Sequence, residues 1–285
     1  MEENACFAGL ESSFAGRDNS AIVVLPVPYD ATSTWIKGSD KGPFAIINAS
    51  SALEWYDIET DFEVYRKGIH TCSPLKLDAC PEKMILQVEK EIINLLKEEK
   101  FIVMLGGEHS ITCGAVKAYY AKHNDMCVLQ LDAHLDTRPE YEGSRFNHAC
   151  VMARIKEICP VVQAGIRSMS YEEKENLDTK NVFFAKDIVR GQDWIPEVIK
   201  QLSPKVYVTI DVDVFDPSVM PSTGTPEPGG FMWYQIMDLL KTLAESRKII
   251  GFDVVELCPN KNNHAPDFIA AKLVYKFLSY IYKQH

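Results

Sequence analysis

Short, unbroken apolar runs alternate along this chain with longer stretches in which apolar residues return every third or fourth position. The runs predict strands at 22–27 (IVVLPV), 101–105 (FIVML), 127–131 (CVLQL), 161–166 (VVQAGI), 181–184 (NVFF), 206–212 (VYVTIDV) and 249–255 (IIGFDVV). Strands that are apolar on both faces and rich in Val and Ile belong to a parallel sheet covered by helices on both sides, so the fold class is α/β. The covering helices show as stripes. Over 82–99, Met84, Ile85, Val88, Ile92, Leu95 and Leu96 share one face while Glu89, Lys90 and Lys97 face water. Ile236, Leu239, Leu240 and Leu243 mark a second helix over 233–245, and 265–283 reads as a closing helix. Two stretches break the alternation, 28–43 and 217–230; both are loaded with Pro, Gly, Ser and Thr and are therefore loops. Neither has the composition of a flexible linker, so one domain over 1–285 is expected, with these ordered loops covering a functional site.

The chemistry-bearing residues gather where predicted strands end. Asp132, His134 and Asp136 follow CVLQL, and residues two apart on an extended backbone project to one face. Alone, that string fits a solvated strand end equally well. Asp211 and Asp213 then follow VYVTI, while the nearest upstream basic residue, Lys205, lies at the strand's other end. Two carboxylates on one face of a buried strand end are costly without a cation. A third segment, Gly106-Gly107-Glu108-His109-Ser110, ends FIVML with two glycines that permit a sharp turn into a helix. A lone histidine there is more often structural, but three such clusters meet at the carboxyl-terminal sheet edge, where open α/β sheets bind ligands. Two imidazoles and four carboxylates exceed the needs of one tetrahedral zinc and suit two divalent ions that share carboxylates. The oxygen-rich set favours Mn²⁺ over Zn²⁺. Paired ions acidify water for attack on carbon or phosphorus, so hydrolysis is the expected reaction class.

Composition narrows the partners. Thirty basic against forty acidic residues leave a formal charge of −10, the wrong sign for nucleic acid. No stretch approaches the roughly 18–20 uninterrupted apolar residues of a membrane span. The start, MEENACFAGL, has neither the basic residues nor the apolar block of a secretory signal, so a cytoplasmic location is expected. Eight cysteines without a Cys-x-x-Cys pair fit free, mostly buried thiols better than disulfides.

The segments GGEHS (106–110), LDAHLDTR (131–138), IDVDVFDP (210–217), STGTPEPGG (222–230) and FDVVEL (252–257) resemble, in this order, the ureohydrolase family of arginase and agmatinase. The likeness spans nearly the whole chain. One departure is Glu108, where the family often has Asp beside the ligand histidine. The resemblance implies a single-domain three-layer α/β/α fold with a mainly parallel, roughly eight-stranded sheet, two Mn²⁺ ions per subunit, and hydrolysis of a guanidino group with release of urea. It assigns His109, Asp132, Asp136 and Asp211 to one ion and Asp132, His134, Asp211 and Asp213 to the other, the same six residues found above. Asp136 would also hydrogen-bond the attacking hydroxide. His148 matches the family's proton-shuttling histidine and Glu256 the acid that pairs with the guanidinium.

Plainer roles stand beside these. His148 equally starts the helix that follows, and Thr225, which would orient Glu256 or the substrate, is equally an ordinary turn hydroxyl. Glu142, with Glu140 and Tyr141, would receive a distal ammonium or simply be solvated. TPEPGG and EYEGSRFNHACVMARI look more like agmatinases than arginases, whose Ser-Gly-Asn-type segment is missing. The expected substrate is therefore the small cation agmatine, cleaved to putrescine and urea. Aminopropylagmatine, arginine and guanidinobutyrate are the rivals, with Arg138 or Arg145 as the grip for the last one's carboxylate. A dinuclear phosphoesterase would need a Gly-Asn-His-Glu-like segment and a basic phosphate grip. A non-catalytic metal-stabilised binding protein would show degenerate ligand positions. A homotrimer or homohexamer follows from the resemblance alone.

Overall fold

The computed structural model describes residues 5–190 and 193–284. Eight strands form one parallel sheet: Ile22–Val27 (β1), Ile69–Thr71 (β2), Phe101–Gly106 (β3), Met126–Leu131 (β4), Val161–Ile166 (β5), Val182–Phe184 (β6), Lys205–Asp211 (β7) and Lys248–Val255 (β8). They lie in the order β2-β1-β3-β8-β7-β4-β5-β6. Seven coincide with the predicted runs to within a residue or so at each end. The eighth, β2, was not predicted, because its three residues, Ile69-His70-Thr71, hold a single apolar side chain and leave no apolar run to read.

The six apolar residues predicted to form one face of the first helix are all buried beneath Pro81–Leu96. Trp233–Ser246 buries its three predicted leucines and its isoleucine, and Ala265–Lys283 closes the chain as expected. Thr112–Lys122 carries no stripe in the sequence because it is buried on most sides. Gly42–Ser50 begins inside the stretch read as loop, where Pro43 takes the first helical turn in which its missing N–H costs nothing. Helices Gly42–Ser50, Ile195–Gln201, Trp233–Ser246 and Ala265–Lys283 pack into one core against the sheet. Pro81–Leu96, Thr112–Lys122 and Val151–Lys156 pack into the other. The result is a three-layer α/β/α arrangement. Cys113, Cys127, Cys150 and Cys159 are buried thiols outside any disulfide. Among the described residues no helix is long and apolar enough to cross a membrane.

The closing helix holds a buried ion cluster of its own. Lys276 Nζ lies 3.0 Å from both Asp57 Oδ1 and Glu59 Oε2. Burial opposes ionisation of Asp57, but hydrogen bonds from Lys276 and from the Thr60 and Glu59 N–H groups outweigh it and hold the pKa below 3.8. Because the folded pKa is depressed, this stabilisation is present above the ordinary carboxyl range and is lost as pH falls through the lowered value. Lys276→Met is expected to destabilise the fold by roughly 3–5 kcal/mol at neutral pH, since it strands a buried charge. A denaturant midpoint unchanged at pH 7 would contradict this.

Candidate active site

The four central strands β3, β8, β7 and β4 end side by side, and each delivers part of one cluster. β3 runs into Gly106-Gly107-Glu108, and a 3₁₀ turn over His109–Ile111 starts the next helix. A Cβ on Gly107 would lie 1.9 Å from the Tyr29 carbonyl oxygen, so glycine is what lets the 28–43 loop lie on this turn. β8 ends at Val255, and Glu256 turns away with a positive φ of 65°. β7 ends at Asp211, whose Oδ1 accepts from the Asp213 N–H at 2.9 Å, so Asp213 sits on a 3₁₀ turn and not on the strand. β4 ends at Leu131, and Asp136 also has a positive φ, of 55°.

Asp132, His134 and Asp136 therefore do not lie on the one extended strand that the sequence predicts. β4 ends at Leu131 but the backbone stays bonded alongside β5 through a bend at Ala133, with His134 opposite Ser168; His134 N–H donates to Asp132 Oδ1 at 2.6 Å, and the left-handed residue Asp136 turns back towards His109. The convergence comes from a bend. His109 Nδ1 lies 3.1 Å from Asp132 Oδ2, 3.2 Å from Asp136 Oδ2 and 3.5 Å from Asp211 Oδ2. On the other side, His134 Nδ1 lies 2.9 Å from Asp213 Oδ2 and 3.7 Å from Asp132 Oδ1. Two groups with metal-ligand spacing result, His109 with Asp132 and Asp211, and Asp132 with His134 and Asp213. Asp132 belongs to both.

The donor set fits divalent cations on evidence internal to the cluster. His109 Nε2 lies 2.8 Å from Thr209 Oγ1, and that hydroxyl donates to Asp253 Oδ1 at 2.5 Å. Asp253 is anchored in turn by Tyr207 and Thr112. Because the Thr209 hydroxyl gives its proton to Asp253 it can only accept from Nε2, and His109 turns Nδ1 to three carboxylate oxygens, which outweigh burial and raise the imidazole well above its ordinary value. That buried nitrogen has no hydrogen-bond partner. Nitrogen and carboxylate oxygens at these distances need a proton or a metal cation between them, and a second-sphere chain that fixes a hydrogen on the other ring nitrogen is characteristic of metal sites.

The electrostatics agree. Burial and then the Asp213 and Asp132 charges push Asp211 well above its ordinary value, and burial followed by Asp132 pushes Asp136 up to about 7. Burial works against a charged His134, yet Asp213 and Asp132 outweigh it and raise the imidazole to about 12. The cluster demands positive charge. One or more divalent ions would supply it without protonating the ligands.

A cleft of about 260 Å³ opens above this cluster. His109, His134, Asp136, Asp211, Asp213, His148, Thr225 and Glu256 all line it. His148 opens a 3₁₀ turn capped by Asn147, so it both begins the following helix and faces the cleft. Burial first, and then the neighbouring imidazoles of His134 and His109, lower its pKa to about 4. Glu256 Oε1 accepts from the His109 N–H at 2.6 Å. The enclosure of its carboxyl, followed by the charge of Glu108, raises it well above the ordinary value. Thr225 is exposed on the cleft wall, and no hydrogen bond joins it to Glu256 among the described residues.

Glu142 does not reach the cleft. It is exposed, with a φ of 48°, at the tip of a turn closed by reciprocal hydrogen bonds between Tyr141 and Ser144. Of that loop, Tyr141 and Arg138 face the cleft instead. Reasoning from sequence also missed Glu173, a buried cleft residue that accepts from Thr137 and Ser170. It sits on a helix 35 residues beyond Arg138, and nothing local marks it.

A model of the arginase family matches residues 20–279. This chain belongs to the arginase family. It is a ureohydrolase, with agmatinase-type enzymes among its relatives and its structural neighbours. It is 40% identical over 273 residues to the N(1)-aminopropylagmatine ureohydrolase of Synechocystis sp., covering 92% of this chain and 89% of that one. It is 34% identical over 260 residues to the agmatinase of Pyrococcus horikoshii, covering 89% of each. The crystal structure of the agmatine ureohydrolase of Thermoplasma volcanium superposes with a TM-score of 0.87 at 31% identity, covering 99% of this chain and 95% of that one.

Proposed function

We propose that this ureohydrolase cleaves the guanidino group of agmatine to urea and putrescine at a centre of two Mn²⁺ ions. His109, Asp132, Asp136 and Asp211 would hold one ion, and Asp132, His134, Asp211 and Asp213 the other. The observation that carries the reading is Glu256, a carboxylate held on left-handed backbone in the wall of the cleft beside the histidine–aspartate cluster. A buried acid with a strongly raised pKa is a poor structural element and a good receptor for a cation. Glu256 binds the substrate guanidinium through charge-assisted hydrogen bonds and sets its carbon beside the cluster. When bound, the ions supply the positive charge that acidifies the attacking water and stabilises charge developing in the transition state. Breaking the C–N bond then requires a proton on the departing amine, and His148, on the cleft wall and neutral at pH 7 with its pKa lowered to about 4, takes that proton up from water and passes it to the amine.

The cleft supports a substrate without a carboxylate. Arg138 lies 3.7 Å from Glu173 and stacks 4.4 Å over the Tyr141 ring, so its charge is already compensated. Arg145, the other candidate grip, pairs with Glu157 at 3.2 Å and does not line the cleft. The cyanobacterial relative favours a second reading, in which the longer N(1)-aminopropylagmatine is the preferred substrate. Urea release from the Mn²⁺-loaded chain, compared across agmatine, aminopropylagmatine, arginine and guanidinobutyrate, separates the two. A higher kcat/KM for arginine or guanidinobutyrate would overturn both readings.

His148→Asn should lower kcat by about 10²–10⁴-fold, the usual worth of general acid–base catalysis, while metal content stays unchanged. Full turnover in that variant would remove His148 from the reaction.

A further inference from the structure

Glu108 is the one motif residue that departs from the family pattern noted above, and neither the metal cluster nor the guanidinium grip uses it. It is completely buried. Its Oε2 accepts from the Thr32 N–H at 2.5 Å, and its Oε1 accepts from the Thr32 hydroxyl at 2.6 Å and the Ser110 hydroxyl at 2.5 Å. Thr32 lies in the Pro/Ser/Thr-rich loop 28–43, and its hydroxyl oxygen also meets His148. It stands 3.1 Å from the His148 N–H and 3.2 Å from His148 Nδ1.

A threonine hydroxyl has one proton to give and two lone pairs to receive. Here the proton goes to the Glu108 carboxylate and one lone pair takes the His148 backbone N–H. The second lone pair faces Nδ1, and an oxygen lone pair there requires that Nδ1 carry hydrogen. We infer that Glu108, acting through the Thr32 hydroxyl, fixes the His148 ring as the tautomer protonated on Nδ1, which leaves Nε2 as the nitrogen that exchanges a proton with the substrate. Both are positioning residues, and this rests on the reading of His148 as the proton carrier.

The length of the side chain matters to the geometry. An aspartate at 108 is one methylene shorter and cannot keep the bonds to both the N–H and the hydroxyl of Thr32 with the backbone in place. That backbone is pinned, because the Glu108 N–H donates to the Tyr29 carbonyl at 2.8 Å. A glutamine offers only one acceptor oxygen. If its amide group faced the hydroxyl, Thr32 would become the acceptor on that side and its proton would turn towards His148, reversing the tautomer.

A purely structural role, in which Glu108 only staples the loop, predicts different results. Thr32→Val removes the hydroxyl and keeps the backbone bond to Glu108. It is expected to lower kcat about ten- to a hundredfold, part of what general acid–base catalysis supplies, with KM changed less than about twofold. Thr32→Ser should restore most of the loss. In a His148→Asn background, Thr32→Val should cost less than about twofold, because two residues that act through one group are not additive. Equal losses in both backgrounds would overturn the inference.

A second readout does not depend on activity. In the full chain labelled with ¹⁵N-histidine and kept free of paramagnetic ions, His148, assigned by its absence from the His148→Asn spectrum, should show its proton on Nδ1. Glu108→Gln and Thr32→Val should shift that population. A proton on Nε2 in the unaltered chain would sink the inference whether or not any guanidine yields urea. Absence of urea with every guanidine, with the Nδ1 proton in place, would instead fault the functional reading alone.

Discussion

Asp132→Asn is expected to reduce urea release by more than about a thousandfold, since losing several kcal/mol of electrostatic stabilisation costs a factor of ten per 1.36 kcal/mol. Asp132 is the residue common to both ligand groups. One oxygen faces His109 and the other faces His134. Its carboxylate is also held by the Gln130 side-chain amide at 2.6 Å and the His134 N–H at 2.6 Å, so its orientation is built into the end of β4. Asparagine has the same shape and removes one negative charge from between the two groups that could hold a cation. The amide also places a donor against a nitrogen donor on one side, so one of the two positions is blocked as well as weakened. Elemental analysis should find less metal per chain than in the unaltered protein, with the circular dichroism spectrum preserved. Normal metal content and normal turnover together would remove Asp132 from the centre.

Glu256→Gln is expected to lower kcat/KM for a guanidinium substrate by about 10²–10³-fold, because a hydrogen-bonded charge pair in an enclosed site is worth roughly 1.5–3 kcal/mol and misplacement of the reacting carbon adds to the loss. The same substitution should raise the stability of the metal-free chain. The sign follows from the pKa. Glu256 is raised in the folded state by enclosure and by Glu108, so above the ordinary carboxyl range its ionisation works against the fold. Glutamine can still accept the His109 N–H and carries no charge to desolvate. Thermal melting of the two metal-free proteins at pH 7 tests this. A lower midpoint for the variant would mean that the carboxylate supports the fold instead of burdening it. A site that is more stable without its functional charge is the usual trade between activity and stability.

Six strands were legible because a strand buried on both faces must be apolar at nearly every position, and β1, β3, β4, β5, β7 and β8 are buried along almost their whole length, while the edge strand β6 shows because its three residues, VFF, are all apolar. β2 escaped because an edge strand needs no such run. Thr112–Lys122 escaped for the opposite reason, since a helix packed on most sides has no polar face to set the period. The six histidines and aspartates were legible because charges at the ends of apolar runs stand out. The reason first given for their convergence did not survive at Asp136, where left-handed backbone replaces the extended strand. Glu142 was legible as acidic but not as misplaced, because whether a loop tip faces a cleft depends on how the turn closes.

What the sequence by itself determined is the inventory and its edge. Burial energetics dictate parallel strands, the topology of parallel strands gathers their carboxyl ends, and the charges placed just beyond those ends therefore meet. What only the tertiary structure decided is which atom of each residue does what. The Thr209–Asp253 chain turns His109 so that Nδ1 faces the carboxylates. The Glu108–Thr32 pair, joined across 76 residues, meets the His148 ring at Nδ1. Hydrogen-bond direction is set by partners distant in the chain, and a proton's position on a ring has no counterpart in the order of residues.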